Sequence, residues 1–491
     1  MITLYNPQSS TARKPILPMS LLAVGAAIEG QHEYRIVDGN LVEDGYSALE
    51  ETITESGSEL LGMTVMPGPQ LAEAVPLSRR LKKRFPNLKI VWGGYFPTLH
   101  APVVLQSDCV DYVVRGHNEL SFSGLANDLQ RDNVPADLAG LGFRDPLTGN
   151  IRLNALGNVP DINTLPMFPY HRVDMQRYFR PTFMGQRTIS HHSSYGCPFL
   201  CNFCAVVNMV GGRYSAETAE RTAAVVGRLI DEYGADSVEF HDNNFFVKES
   251  RISEFCERII DRKIGWWGYG RIDTLQKFSD HTWRLMRDSG LKMIFMGAEA
   301  GSDEVLSRMN KGGRQTADQA LTIAERMRRF GIVPEMSFIL GNPPEPAADV
   351  ERTIRFIRRL KHVNPATEII FYLYSPVPQA GSMLTEAEAS GFAFPKSLDD
   401  WVSAKWQEFS HHRSADLPWL DAGLKRRIKN FQRVMHAAYP TTTDHRLTGL
   451  ARSTLRAMGM WRYRLGLYAF PIELKVLERV FPYQRPEVSG F

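Results

Sequence analysis

Over the first 130 residues short apolar runs alternate with longer amphipathic ones: ITLYNP, SLLAVGAAIEG, YRIVDG, SALEETITES, LLGMTV, QLAEAVPLSRRLKKRF, KIVWGG, a short helix near Thr98, DYVVRG and LSFSGLANDLQ. The first kind has strand length and the second helix length, which predicts five β/α units. Strands that alternate with helices lie parallel and are covered on both faces, so a doubly wound, flavodoxin-like sheet is expected, with its ligand beyond the strand C-termini. The pattern breaks after residue 135. GFRDPLTGNIRLN carries hairpin turn signals, and Pro160, Pro166, Pro169 and Pro181 mark a linker.

A second series begins at Thr188, with TISHHSSYG, SVEFHD, WWGYGRID, LKMIFMGAEA, VPEMSFILG and EIIFYLYSP as six strands. Helices are expected near 217–233, 250–262, 280–288, 317–330 and 348–361. Ser215, Ser279 and Thr316 stand where N-caps belong, and Gly234, Gly290 and Gly331 where helices stop. Beyond Glu386 the strands disappear and the segments look helical. The expected division is 1–135 for the first sheet, 136–187 for a linker with hairpin, 188–385 for the second β/α series and 386–491 for a helical domain.

Composition fits this plan. With 491 residues, 43% apolar and 23% charged, the chain is neither disordered nor fibrous and is long enough for several cores. Five cysteines, three of them within eight positions, suit ligation in a reducing compartment better than a disulfide framework. The start, MITLYNPQSS, has no signal-peptide pattern, and a cytoplasmic location is expected. The net charge of +3 is uneven: residues 401–491 hold 15 Lys plus Arg against 7 Asp plus Glu. Such a stretch forms solvated helix faces or attracts phosphates, nucleic acid or an anionic membrane.

Cys197, Cys201 and Cys204 form CxxxCxxC directly after the first strand of the second series. Three thiolates on one short loop suit a four-iron cluster in which the fourth iron stays open to a ligand. A Cys₃His zinc site completed by His191 or His192 is the alternative. Cys109 and Cys256 stand alone and read as buried thiols.

With Phe203 before the last cysteine and a six-unit β/α series around it, this loop resembles that of the radical S-adenosylmethionine (SAM) superfamily. FHDNNF resembles the second-strand motif of that superfamily, GAEAGSDEVLSRMNKG its GxESGS segment and FILGNPPEP its fifth-strand GxPxE stretch. The resemblance implies a partial (β/α)6 barrel in which Cys197, Cys201 and Cys204 hold a [4Fe-4S] cluster. It also implies that Phe203, Phe240, His241, Asp242, Arg271, Glu299 and Ser302 lie near SAM. Ala300 departs from the serine of GxESGS, and YSPVPQAGS is longer than the usual PxPGT.

The first sheet is similar to the cobalamin-binding domain of the cobalamin-dependent subgroup. By that resemblance Pro7, Gln8, Thr64, Val65, Met66, Gln70, Gly93, Gly94, Tyr95, Gly116 and Glu119 would contact cobalamin. Glycines at 93 and 94 would let a bulky nucleotide tail lie against the strand end. The loop from Asn6 to Met19 has no histidine, so cobalt is expected to lack a histidine ligand and to meet the apolar loop around Val65 and Met66. GHNE departs from the usual GEGE, though Glu119 keeps the last position. A nucleotide-binding or structural sheet is the alternative.

Taken together, the resemblance implies a cobalamin-dependent radical SAM methyltransferase acting on an unactivated carbon of a small, natural-product or lipid-like molecule. A flavodoxin- or ferredoxin-type electron donor would serve it. The alternatives are a non-methylating relative (cyclisation, oxygenation or carbon-carbon bond formation) and a cobalamin or redox sensor. GMWRYRLGLYAFPIELKVLERVF interleaves aromatics with arginines, which suits an amphipathic contact with a lipid or polyprenyl substrate and a peripheral membrane contact, or equally helices that close the barrel mouth with Arg462 and Arg464 as a solvated rim. Nucleic acid is not expected, and no general base is named because hydrogen abstraction by a radical needs none.

Overall fold

The computed structural model describes residues 1–9, 15–117, 119–133, 137–311, 315–379, 381–410, 417–441, 443, 447 and 449–480, without the side chains of 478 and 480. The first sheet contains β1 (Ile2–Asn6), β2 (Tyr34–Asp38), β3 (Leu60–Thr64), β4 (Lys89–Gly93), β5 (Tyr112–Val114), β6 (Leu141–Arg144) and β7 (Ile151–Leu153), in the order β2-β1-β3-β4-β5-β6-β7. β1 to β5 are parallel. β1 and β3 are buried along their whole length, as continuous apolar runs covered on both faces must be. Helix Met19–Ile28 packs with Glu119–Gln130, and Gly45–Ser56 with Pro69–Arg84, which gives the two covering layers.

The hairpin expected within the linker instead joins this sheet, because β6 pairs antiparallel with β5 and β7 with β6. The proline-bearing stretch after it is a strap between the two halves of the chain. Arg172 grips the Glu29 carboxylate at 2.6 Å, and Tyr178 donates to Asp38 at 2.9 Å. From the same strap Tyr170 Oη lies 3.0 Å from His191 Nδ1, and Arg180 pairs with Glu239. Turn-rich composition fixes irregular backbone here, but side chains far apart in sequence fix its position.

The second series supplies β8 (Thr188–His191), the antiparallel ribbon of β9 (Ser194–Gly196) and β10 (Tyr214–Ala216), then β11 (Ser237–Phe240), β12 (Gly265–Gly270), β13 (Leu291–Glu299), β14 (Val333–Leu340) and β15 (Glu368–Leu373). Six parallel strands run β15-β14-β13-β12-β11-β8, and β8 does not pair with β15, so the barrel is partial. The helices Ala219–Asp231, Glu249–Ile259, Asp280–Asp288, Ala317–Phe330 and Pro346–Val363 follow the strands, and successive ones pack on each other. All therefore cover one face, and the other face is left as a lumen. Ser279 and Thr316 cap their helices. Ser215 does not: it lies in β10, and Thr218 caps Ala219–Asp231.

The C-terminal part is helical, with Ala422–Ala438 and Gly449–Leu465 in close contact. Gly459 permits that approach, since a Cβ there would overlap the backbone of Ala437 and Ala438. Before these helices an aromatic latch of Phe392, Phe394, Trp401, Trp406 and Phe409 closes over the first sheet. Asp399 of the latch pairs with Arg79, and Trp401 lies 4.6 Å from the His100 ring.

Burial holds the His100 imidazole down to about 4, whereas an unfolded histidine takes up its proton near 6.5. Between these values the unfolded chain binds the extra proton, so stability falls as pH drops from 6.5 towards 4. Through His100 the loss should reach about 2 kcal/mol by about pH 5. His100→Phe should lose less melting temperature between about pH 7 and pH 5 than the parent, and equal losses would refute a buried neutral imidazole.

Candidate active site between two sheet ends

The cluster loop follows β9, and Cys204 begins the helix Ala205–Val210. The segment after β13 holds the loop in place. Asn202 donates from its backbone to Met309 O at 3.0 Å and from its side chain to Arg308 O at 2.8 Å, and Asn310 Nδ2 donates to Leu200 O at 2.7 Å. Arg271 donates to Cys201 Sγ at 3.2 Å, pairs with Asp273 at 3.0 Å and lies 3.8 Å over the Phe199 ring. Lys311, ion-paired with Glu299, stands 5.4 Å from the Phe203 ring centre. Burial pushes the Cys204 thiol up to about 11 and raises Cys197. Thiolate ligation must therefore release protons, and the two nearby cations favour the charged form.

Among the described residues no three His, Cys, Asp or Glu side chains converge on one ion-sized position. A cubane places each thiolate on its own iron, whereas zinc draws its ligands together. His191 is already committed, with Nδ1 to Tyr170 at 3.0 Å and Nε2 to Glu217 at 3.2 Å. The donor set and its spacing fit the cluster.

The SAM candidates divide by side-chain direction. Glu299 is buried at φ +65, an unusual conformation for a non-glycine and one that gathers at functional sites. Ser302 begins helix Asp303–Arg308 with its hydroxyl free of a cap bond. His241 lies 3.3 Å from Glu239 and faces the lumen beside Trp267 at 5.6 Å. Burial raises the Glu239 carboxyl, but Arg180 and His241 outweigh it and hold it below the usual range. Phe240 instead stacks on Phe245 at 4.4 Å in the core, so only its backbone can serve a ligand. Asp242 is fully buried and accepts from Ser193 N at 3.1 Å, Ser193 Oγ at 2.7 Å and Ser194 Oγ, which makes it a tie between β11 and the loop after β8.

The cobalamin candidates gather at the C-terminal ends of β1, β3, β4 and β5. Gly94 has φ +94, and a Cβ there would meet Thr64 Oγ1 at 3.1 Å and Val65 N at 3.3 Å. At Gly93 a Cβ would sit in ordinary contact with Val114 O at 3.7 Å, so the close approach that requires glycine is at Gly94. Thr98 joins Gly94 to Gly116, donating to Gly94 O at 2.6 Å and accepting from Gly116 N at 3.0 Å. Gln70 is spent internally, on Asn6, Pro7 and Met66, and Gln8 donates its backbone N–H to the Glu73 carboxylate. Val65 is wholly buried and Met66 is 42% exposed, so of the two only Met66 offers an apolar surface to a ligand.

The two sets meet. Helix Tyr95–Leu99, directly after β4, packs on Ala205–Val210, directly after Cys204. The Tyr95 hydroxyl is raised by burial and by the neighbouring Cys204. Beside this contact His117 stacks on Tyr195 at 4.8 Å and lies 3.6 Å from Glu119. His192 lies 6.0 Å from Tyr195. Among the described residues His192 Nε2, Tyr195 Oη, Glu119 Oε2 and both polar atoms of the Asn244 side chain are buried without a partner. Such atoms are costly unless a ligand satisfies them. His117, Tyr195, Asn244 and Lys311 were not expected from the sequence; only the His191-His192 pair and the FHDNN run pointed near them.

Comparison with known families agrees with this geometry. The B12 binding domain matches residues 9–126 and the radical SAM superfamily residues 192–357. The chain belongs to the radical SAM proteins that carry a B12-binding domain. Its cofactors are accordingly a [4Fe-4S] cluster, SAM and cobalamin. An uncharacterized methyltransferase of Pyrococcus horikoshii is 26% identical over 73% of this radical SAM chain and 78% of its own length. An anaerobic magnesium-protoporphyrin IX monomethyl ester cyclase of Synechocystis is 26% identical over 65% and 64%. The fold is that of TsrM, a radical SAM methyltransferase from Kitasatospora setae solved with cobalamin and a [4Fe-4S] cluster, at a TM-score of 0.66, 17% identity and 98% coverage of both chains.

Two substitutions separate the two halves of this site. Cys201→Ala should lose most iron and the visible cluster absorbance while cobalt content holds. Gly94→Val should cut retained cobalamin about tenfold or more while iron content holds, because a branched side chain at positive φ both strains the turn and fills the cradle. Parallel loss of both metals in either variant would show that the sites are not separable.

Proposed function

We propose that the protein transfers a methyl group to an unactivated carbon of a small molecule bound between the two sheet ends. The apposition of Tyr95, at the end of β4, with Cys204 of the cluster loop carries this reading, because it aims both cofactor sites at one chamber. When bound, the cluster and SAM supply an adenosyl radical that takes hydrogen from the substrate, and cobalamin carries the methyl group. Cys197, Cys201 and Cys204 hold the cluster, with Arg271 donating to Cys201. Phe203, Glu299 and Ser302 flank SAM, with His241 at the edge of its site and the Phe240 backbone within reach. Met66, Gly93, Gly94, Tyr95, Gly116 and Glu119 meet the corrin.

The substrate enters the lumen. Tyr269, Phe295, Ile339 and Tyr372 are partly exposed within largely buried strands, as is His241 just past the end of β11, and the register sets Tyr269 against Phe295 and Ile339 against Tyr372. Trp267 lies 4.7 Å from Tyr269, which is 4.9 Å from Phe295. An aromatic wall of this kind orients a flat or apolar substrate and keeps water from a radical. The functional division follows 1–135 together with the hairpin of β6 and β7, then 188–385 and 386–491, and the proline-bearing stretch up to residue 187 joins the first two as a strap. The electron comes from a flavodoxin- or ferredoxin-type donor, and the basic C-terminal helices touch a membrane peripherally.

The similarity to a cyclase favours one further reading, ring closure or another radical outcome without methyl transfer. Turnover with methyl-labelled SAM decides between them: label in the product, together with 5′-deoxyadenosine, is expected. An unlabelled product with 5′-deoxyadenosine would transfer the assignment to the non-methylating reading, and no 5′-deoxyadenosine under reductant would leave a sensor.

A further inference from the structure

The helices Gly449–Leu465 and Ile472–Val480 carry an outer surface that no packing among the described residues uses. Leu450, Thr454, Ala457, Trp461 and Leu465 recur at helical spacing on one face and are all exposed, Leu450 by 81% and Leu465 by 68%. Buried Gly459 and Tyr463 hold the opposite face against the helix Ala422–Ala438. Leu467, Phe470, Ile472 and Val476 continue the exposed surface. Seven of the fourteen large apolar side chains exposed among the described residues fall between positions 450 and 476, so this is a patch and not scatter.

Basic groups border it. Residues 422–465 contain ten Lys or Arg and a single acidic residue. Arg358, His362, Arg456 and Arg464, with Tyr439 and Met460, line a cleft of about 390 Å³ whose walls include no carboxylate. Arg358 is fixed there by the Tyr463 carbonyl at 2.6 Å and the Tyr468 hydroxyl. Arg456 and Arg464 are exposed and enter no ion pair among the described residues. On the last helix Lys475 and Arg479 share the face of Ile472 and Val476.

A nucleic acid would match the charge and leave the aliphatic face in water. A second copy would bring one cationic cleft against another. We propose that this face docks on an anionic lipid surface, with a headgroup phosphate in the Arg358–Arg456–Arg464 cleft and Trp461, Leu465, Phe470, Ile472 and Val476 in the interfacial layer. The proposal deepens the peripheral contact read above by naming its lipid class and residues, and it stands apart from the reaction. No helix among the described residues is long and apolar enough to cross a membrane, so the contact lies in the plane of the surface.

Flotation of the full chain, loaded with cluster and cobalamin, on phosphatidylcholine vesicles with and without about one third phosphatidylglycerol tests it. Partition should be at least about tenfold greater on the anionic vesicles. Arg456→Glu with Arg464→Glu should lower it by at least about twentyfold, since one basic side chain near such a surface is worth roughly fivefold. Trp461→Ser with Phe470→Ser should lower it independently, with iron, cobalt and helix content unchanged in both variants. Equal binding to both vesicles would keep a membrane contact and overturn the headgroup site; no binding to either would overturn both. Binding of inorganic phosphate or a single-stranded oligonucleotide as tight as vesicle binding, or a dimer that shields Trp461, would also refute the proposal. None of these results bears on methyl transfer.

Discussion

The packing of Tyr95–Leu99 on Ala205–Val210 is the constraint on which the rest of the molecule depends. Parallel β/α sheets place their ligands beyond the strand C-termini, and each of the two sheets alone would offer only an open crevice. Setting the two crevices face to face makes one chamber, but only if the sheets cannot swing apart. The strap supplies that stiffness, with Arg172 and Tyr178 on the first sheet and Tyr170 and Arg180 on the second. The latch supplies it again from the C-terminal side through Asp399 and Trp401. A hinge with few contacts would be the default between domains, and three separate crossings remove that freedom.

Within the chamber two charged pairs border the cysteine loop. Arg271 and Lys311 each have a carboxylate, Asp273 and Glu299, which holds the cation in place while its other side faces the cysteine loop. Buried ion pairs of this kind gain little stability, and their placement beside three thiolates gives them a local electrostatic role. The unpartnered atoms of His192, Tyr195, Glu119 and Asn244 make the same point from the opposite direction. A protein selected only for stability would have satisfied or replaced them.

Much of this was legible from residue order. Short continuous apolar runs located both sheets, because a covered parallel strand has few alternatives to Val, Ile, Leu and aromatic residues, and the cysteine spacing singled out the loop after β9. What stayed hidden depends on contacts between distant positions. The strap read as a linker because Tyr170, Arg172 and Tyr178 reveal nothing until Glu29, Asp38 and His191 are beside them. Motif similarity also places a residue without aiming its side chain: Phe240 and Val65 turn into the core, and Gln70 and Asp242 spend their polar atoms on neighbouring loops. Ser215 failed as a cap for the same local reason, since its position belongs to a strand and Thr218 is three residues further along.

The helical C-terminal part solves a problem created by leaving the barrel open. β15 is an edge strand, and an exposed edge invites pairing with another chain. Thr441 and Thr443 cover its start by bonding the Glu368 carboxylate, His436 lies against the Ile369 carbonyl at 3.5 Å, and Phe431 packs 5.9 Å from Phe371. Trp419 donates to Gly341 at the end of β14, and Arg427 pairs with Glu351 behind it. The inner side of these helices is thus fully engaged in protecting the sheet. Its demands fall on Phe431, Gly459 and Tyr463, so among the described residues the arginines and large apolar side chains of the outer positions are not held by the packing that protects the sheet.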